Sequence, residues 1–383
     1  MTDETPEDKW PLPAKQVHHM EVSKTPELPV PAVVWRIFLI LSVFLYSSFT
    51  ILVHLCEVDG HLSFRTTAVV LLTESLKFVL SVCLFSISRR PYGQPNNHRR
   101  SLLTDIQLEL QQYSHQTPTP GQLPSVDTLA PLPFSPHHLL VIVLPFTVPA
   151  VLYAVNNNLG MYLQLEMDPA TYQVLGNFKI LSTATLFRLI IKRPISTIQW
   201  FSLLLLLIAG FAHSYANLFT KNSFVSSTFV DVVHTMHITT LGIILISIYC
   251  TISGLSGVYT EYVMKQRAQM NIHLQNALLY IFGVLVNTVM YFYDVHRAYE
   301  SDFWNLTKGF SIWTWLLIVT QAICGIFMGF VMKFATNITR LFIISSAMIV
   351  TTFMAMLVFG LRLDALYIVS FLLVTLALYL YHR

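Results

Sequence analysis

Charge is what this sequence has least of. Asp, Glu, Lys and Arg make up 11% of its 383 residues, against 54% hydrophobic, and mean hydropathy is +0.59. Soluble domains run near a quarter charged, so an ordinary soluble globule is excluded. The net charge of +3 is small and the basic residues are scattered, leaving no basic stripe for nucleic acid. Cysteine is scarce too. Cys56, Cys83, Cys250 and Cys324 stand alone, with no CxxC and no Cys/His spacing, so neither a disulfide framework nor a zinc site is expected. Signatures of catalysis are missing: there is no nucleophile elbow, no Walker loop, and no paired acids or acidic metal motif. No enzymatic activity and no cofactor are expected.

What the chain has instead is long apolar runs of about 20 residues, each enough to cross a ~30 Å hydrocarbon core. Ten such spans are predicted, making an all-α membrane protein. They cover about 33–54, 66–87, 139–163, 170–191, 198–215, 239–264, 274–293, 312–334, 338–361 and 365–381. Pro145 and Pro149 lie inside the third, where neighbouring helices can satisfy the freed carbonyls. Residues 1–32 are polar and rich in proline, with no apolar core before a small-residue cleavage site. They read as a disordered cytosolic tail, not a signal peptide. Residues 33–383 then form one ten-helix domain, interrupted by a long cytosolic insertion at 89–137 expected to lack regular structure.

Ten spans put both termini on one side. If that side is the cytosol, it collects Arg89, Arg90, Arg99, Arg100, Lys192, Arg193, Lys265 and Arg267 among others. The far side holds only Arg65, Lys221, Arg297, Lys308 and Arg362, a bias that fits the positive-inside rule. Asn305-Leu306-Thr307 is a glycosylation acceptor on the predicted lumenal side. A faint repeat pairs Asp168…Arg193 with Asn337…Arg362, both 25 residues apart. Two inverted five-helix repeats would follow, with a substrate site at the midplane between them.

The stretch 151–182, VLYAVNNNLGMYLQLEMDPATYQVLGNFKILS, carries the oddest chemistry. It reads as two helices joined at Met167-Asp168-Pro169, with Pro169 suited to a first helical turn. Asn156, Asn157 and Asn158 sit together in oil. Tyr172 and Lys179 lie two turns apart, on one face of a continuous helix. A lysine in mid-membrane costs roughly 2.5–3.5 kcal/mol on insertion scales, and a phosphate-facing role outweighs a buried structural one. Glu74 and Lys77, three apart, read equally as a structural ion pair or as a cavity wall. Asn276, Tyr280, Gly283 and Asn287 form a stripe on span seven, either a polar helix contact or a base- and ribose-facing wall. Lys333 and Arg340 bracket the turn before span nine, either as cytosolic flanks or as phosphate contacts.

These residues are similar to a known pattern. YAVNNNLGMYLQLEMDPATYQVLGNFKI resembles the signature of the nucleotide-sugar transporters, within the drug/metabolite transporter superfamily, in the branch that carries CMP-sialic acid, UDP-galactose and UDP-N-acetylglucosamine. LLTESLKFVL, SGLSGVYTEYVMK, QNALLYIFG, VMKFATNITRLF and LALYLYHR extend the likeness over nearly all of 33–383. The resemblance implies ten helices, a multi-pass Golgi membrane protein, and antiport of a cytosolic nucleotide sugar for a lumenal nucleoside monophosphate. It implies substrate contacts at Asn157, Tyr172, Lys179, Asn276, Tyr280 and Lys333. Lys179 and Lys333 would meet phosphates, Tyr280 and Asn276 the nucleoside, and Glu74 and Lys77 would pair near the cavity. It also leaves room for homo- or hetero-oligomers with other nucleotide-sugar transporters. The chain departs from the family at Gly176-Asn177, where a tyrosine and a glutamine are usual, and at Phe282, where a small polar residue near the base often lies. The expected cargo is a UDP-sugar or a related CMP- or CDP-linked compound. The alternative expectation is a non-transporting adaptor that scaffolds other transporters or glycosyltransferases.

Overall fold

A computed structural model describes residues 31–58, 61–62, 64–88, 102–116, 136–166, 169–221, 240–297, 305–359 and 365–383. The proline-rich tail through residue 30, the expected Met167-Asp168 turn, residues 222–239 and the Arg362 repeat marker lie outside them.

The first helix, α1 (Ala32–Leu55), is followed by a two-residue antiparallel pair, β1 (Glu57–Val58) and β2 (His61–Leu62), which turns the chain back into α2 (Thr66–Ser88). Helix α3 (Leu102–Gln116) lies in the insertion. Helix α4 (Pro136–Val143) passes through a short 3-10 turn, Leu144–Phe146, into α5 (Thr147–Glu166). Then come α6 (Pro169–Gly176), α7 (Lys179–Ile190), α8 (Thr197–Lys221), α9 (Thr240–Gln266), α10 (Ile272–Arg297), α11 (Ile312–Phe334), α12 (Asn337–Phe359) and α13 (Ala365–Tyr381). Eight of the described helical stretches are long and apolar enough to cross a membrane, and α13 is a shorter apolar helix of the same kind.

The helix boundaries have local causes. Ser311 and Thr314 form a reciprocal capping box at the start of α11. Thr336 accepts the Thr339 N–H at the start of α12 (3.1 Å). Lys192 adopts the left-handed conformation (φ 57°) just past α7, and Pro194 prevents the helix from resuming.

Two expectations change. The fourth span is not one continuous helix: α6 and α7 are separated by a tightened turn at Asn177-Phe178, where the Asn177 and Phe178 N–H groups bond three residues back, to Val174 and Leu175. Buried Asn177 donates to Ser214 Oγ on α8 (3.1 Å), which fixes the break. Tyr172 and Lys179 therefore belong to different helices, and the shared face expected from a continuous span is lost. The insertion, expected to lack regular structure, holds α3. Its apolar residues are few but correctly spaced. Ile106 and Leu110 fall on one face and pack with Phe85, Ile142, Met270 and Leu274. Glu109 Oε1 on the same helix accepts the Asn271 N–H (2.9 Å).

This docking is testable. Leu110→Ala removes the most buried α3 contact, at a cost of about 2–3 kcal/mol. Amides of 102–116 should then exchange faster with solvent while those of α11 keep their protection. Unchanged protection in α3 would show that the contact does not hold it.

Packing couples the helices across the chain. Helix α8 packs along α13, α2 along α10 and α11, α1 along α11 and α12, and α9 along α5 and α7, while α10 also meets α5. A main apolar core joins α7, α8, α9, α12 and α13 around Leu206, Ala209, Val258 and Ile338.

Candidate functional site

Between α1, α2, α5, α9, α10, α11 and α12 lies a cavity of about 550 Å³, within the usual range for a small-molecule site. It runs from Phe64 and Thr66, beside the α1–α2 hairpin, to Met264 and Met332 near the opposite helix ends. Its polar wall includes Thr73, Glu74, Lys77, Tyr153, Asn157, Tyr280, Asn287, Gln321 and Arg340.

Two cations face this space. Lys77 Nζ bonds Glu74 Oε1 (2.8 Å) and lies 5.5 Å from the centre of the Tyr280 ring. Gly325 on α11 makes room for it: a Cβ there would stand 2.5 Å from Lys77 Cε. Arg340 is different. Its Nη1 donates to the Tyr153 hydroxyl (3.0 Å), the guanidinium sits 5.8 Å from that ring's centre, and its Nε is buried without a partner. Among the described residues no carboxylate pairs with it. It also occupies the first turn of α12, where a cation opposes the helix dipole.

The α12 terminus is stabilised from another helix. Glu261 of α9, fully buried, accepts the Asn337 N–H through Oε2 (2.6 Å) and Lys265 Nζ through Oε1 (2.5 Å). This carboxylate satisfies an otherwise orphaned helix N–H and complements the dipole.

The residues singled out from sequence divide. Glu74, Lys77, Asn157 and Tyr280 line the cavity. Asn276 is buried beneath it against Gly329, and neither of its amide atoms has a partner. Lys333 is not in the lining; it is buried and donates to the Met270 carbonyl (2.6 Å). Gln275 Nε2 donates to the Arg267 and Met270 carbonyls, so the α9–α10 turn is held closed at this end. Tyr172 donates to the Tyr249 hydroxyl (3.0 Å) and packs under α9, away from the cavity. Lys179 opens α7, also outside the lining. Among the described residues no carboxylate pairs with Lys179. Asn305 is exposed in the turn before α11 and is not in the cavity lining. Arg340 is the main residue that sequence left undecided. Its inward position depends on α12 starting at Asn337, which the turn sequence ATNIT suggests but does not orient.

The nucleotide-sugar transporter family profile matches residues 140–382. The chain is 36% identical over 350 residues to the probable UDP-sugar transporter protein SLC35A4 of Xenopus tropicalis, covering 91% of this chain and 92% of that one. It is 36% identical over 351 residues to the Homo sapiens protein of the same name (91% and 94%), and 31% identical over 365 residues to that of Danio rerio (95% and 99%). A solved crystal structure superposes with a TM-score of 0.56 over 90% of this chain and 97% of that one, at 8% identity, a likeness of fold alone.

Proposed function

As the chain belongs to the nucleotide-sugar transporter family, we propose that it is a Golgi antiporter. It carries a cytosolic UDP-sugar, or a related CMP- or CDP-linked compound, inward and returns a lumenal nucleoside monophosphate. The observation that carries this reading is Arg340, a cation with no carboxylate partner among the described residues, facing a nucleotide-sized cavity that Lys77 also lines. Keeping an unneutralised charge in a low-dielectric bundle is costly, and an anionic ligand offsets that cost. In this reading phosphate oxygens bridge Arg340 and Lys77, while Tyr280 stacks on the base and Asn157 and Asn287 bond its polar edges.

The fold in this account has ten spans, with α4–α5 and α6–α7 each forming one broken span, and both termini cytosolic. Two inverted five-span repeats follow. The packing supports them: when each span exchanges with the one five places on, α1 with α12 maps onto α9 with α7, α1 with α11 onto α9 with α5, and α2 with α11 onto α10 with α5. Rocking of the halves gives alternating access. The cavity, which reaches the lumenal α1–α2 hairpin, closes toward the cytosol at Met264, Met332 and the Lys333–Met270 bond. When that bond opens, Lys333 is freed to meet phosphate arriving from the cytosol. Lys179 joins Arg340 around the phosphate as α7 moves about the Asn177-Phe178 turn, with Tyr172 and Asn276 released toward the nucleoside. Asn305 takes its glycan in the lumen.

Exchange in proteoliposomes tests the assignment. Vesicles preloaded with uridine monophosphate should take up labelled UDP-sugar at least about tenfold faster than empty ones, because the unloaded carrier reorients slowly. Uptake indifferent to the internal nucleotide would remove the antiport assignment. Unaltered oligomer formation with no uptake of any nucleotide sugar would favour an adaptor.

A further inference from the structure

The cavity wall contains its own anion. Glu74 Oε1 sits 2.8 Å from Lys77 Nζ, where a phosphate oxygen would otherwise approach, and both side chains are under a fifth exposed. Among the described lining residues three carry a fixed charge, two positive and one negative, leaving a single net positive charge at Arg340. Both partners of the pair sit in clearances made by glycines of other helices. A Cβ at Gly283 of α10 would stand 2.9 Å from Glu74 Oε2, and one at Gly325 of α11 would crowd the Lys77 stem. The pair is thus seated among helices α10 and α11 at the cavity wall, and not directed out to lipid.

We infer that Glu74 is an internal competitor, an anion that occupies Lys77 in the empty cavity and must yield it to the substrate phosphate. The inference rests on the phosphate reading of the cavity given above. Neutralising Lys77 in the empty state removes the cost of a second unpaired cation in the bundle. Binding then exchanges one ion pair for another, instead of forming one from nothing, so affinity stays moderate and release stays fast. Arg340, with no carboxylate to displace, makes first contact, and Lys77 engages only as Glu74 withdraws. Neutralising Glu74 has two opposite consequences under the two roles open to it. If it merely positions Lys77, its loss weakens phosphate binding. If it competes for Lys77, its loss strengthens binding.

The test is equilibrium binding of uridine monophosphate to the purified full chain, with uridine as the control. Glu74→Gln should bind uridine monophosphate at least about tenfold tighter than wild type, with uridine binding unchanged and exchange in proteoliposomes slowed by retarded release. Glu74→Asp, which keeps the charge on a shorter arm, should fall between the two. Weaker or equal binding in Glu74→Gln would overturn the competitor role, as would failure of both variants to fold, which would make the pair structural. Arg340→Gln separates this from the underlying reading. If that variant still binds uridine monophosphate normally, the phosphate site is misplaced. If it does not, and Glu74→Gln gains nothing, the competitor role alone is wrong.

Discussion

Arg340→Gln should abolish nucleotide exchange and weaken uridine monophosphate binding about a hundredfold or more, while the protein remains folded. Charge-assisted bonds from guanidinium to phosphate are among the strongest polar contacts available, and their loss from a desolvated site costs several kcal/mol. The fold should tolerate the change. Among the described residues no carboxylate would be orphaned, and the Tyr153 hydroxyl that Arg340 now bonds at 3.0 Å lines the cavity, where water can replace the lost donor. Arg340→Lys should be intermediate, because an ammonium keeps the charge but not the planar fork. Binding isotherms together with a thermal unfolding curve make the check. Unchanged affinity in a folded variant would remove Arg340 from the site.

Glu261→Gln should have the opposite profile, a large loss of stability whatever the ligand. The carboxylate is buried at the start of α12 and holds both Lys265 Nζ and the Asn337 N–H. Removing its charge leaves Lys265 unpaired inside the bundle, a class of change that costs about 3–5 kcal/mol. Glu261→Leu combined with Lys265→Met should recover much of that loss, since a packed apolar pair avoids desolvating either charge. The Asn337 N–H would still go unsatisfied, so recovery stays incomplete. Thermal unfolding of the purified protein, with and without uridine monophosphate, measures both. If the single variant were as stable as wild type, the pair would not be what anchors α12.

The membrane helices were legible in the sequence because the bilayer imposes length and apolarity on each span independently of its neighbours. What periodicity could not supply was the break between Gly176 and Lys179. That break depends on Asn177 finding Ser214 thirty-seven residues away, a tertiary contact that overrides a good local helical pattern. Helix α3 was hidden for the opposite reason: a polar segment needs only two or three well-spaced apolar residues, here Ile106 and Leu110, to dock on a preformed surface. Within the site, Glu74, Lys77 and Tyr280 were readable because charged or polar groups inside an apolar span stand out. Lys333 and Arg340 were not separable by sequence, since both flank one turn. A turn between them and the direction of α12 decide that one bonds a backbone carbonyl and the other enters the cavity.

Equilibrium binding of uridine monophosphate against uridine, on the purified wild-type chain, tests the phosphate site most directly. The two ligands share base and ribose and differ only in the group assigned to Arg340 and Lys77. The account predicts binding of the monophosphate at least about a hundredfold tighter, with a gap that narrows in Arg340→Gln. Equal affinity for the two would contradict it.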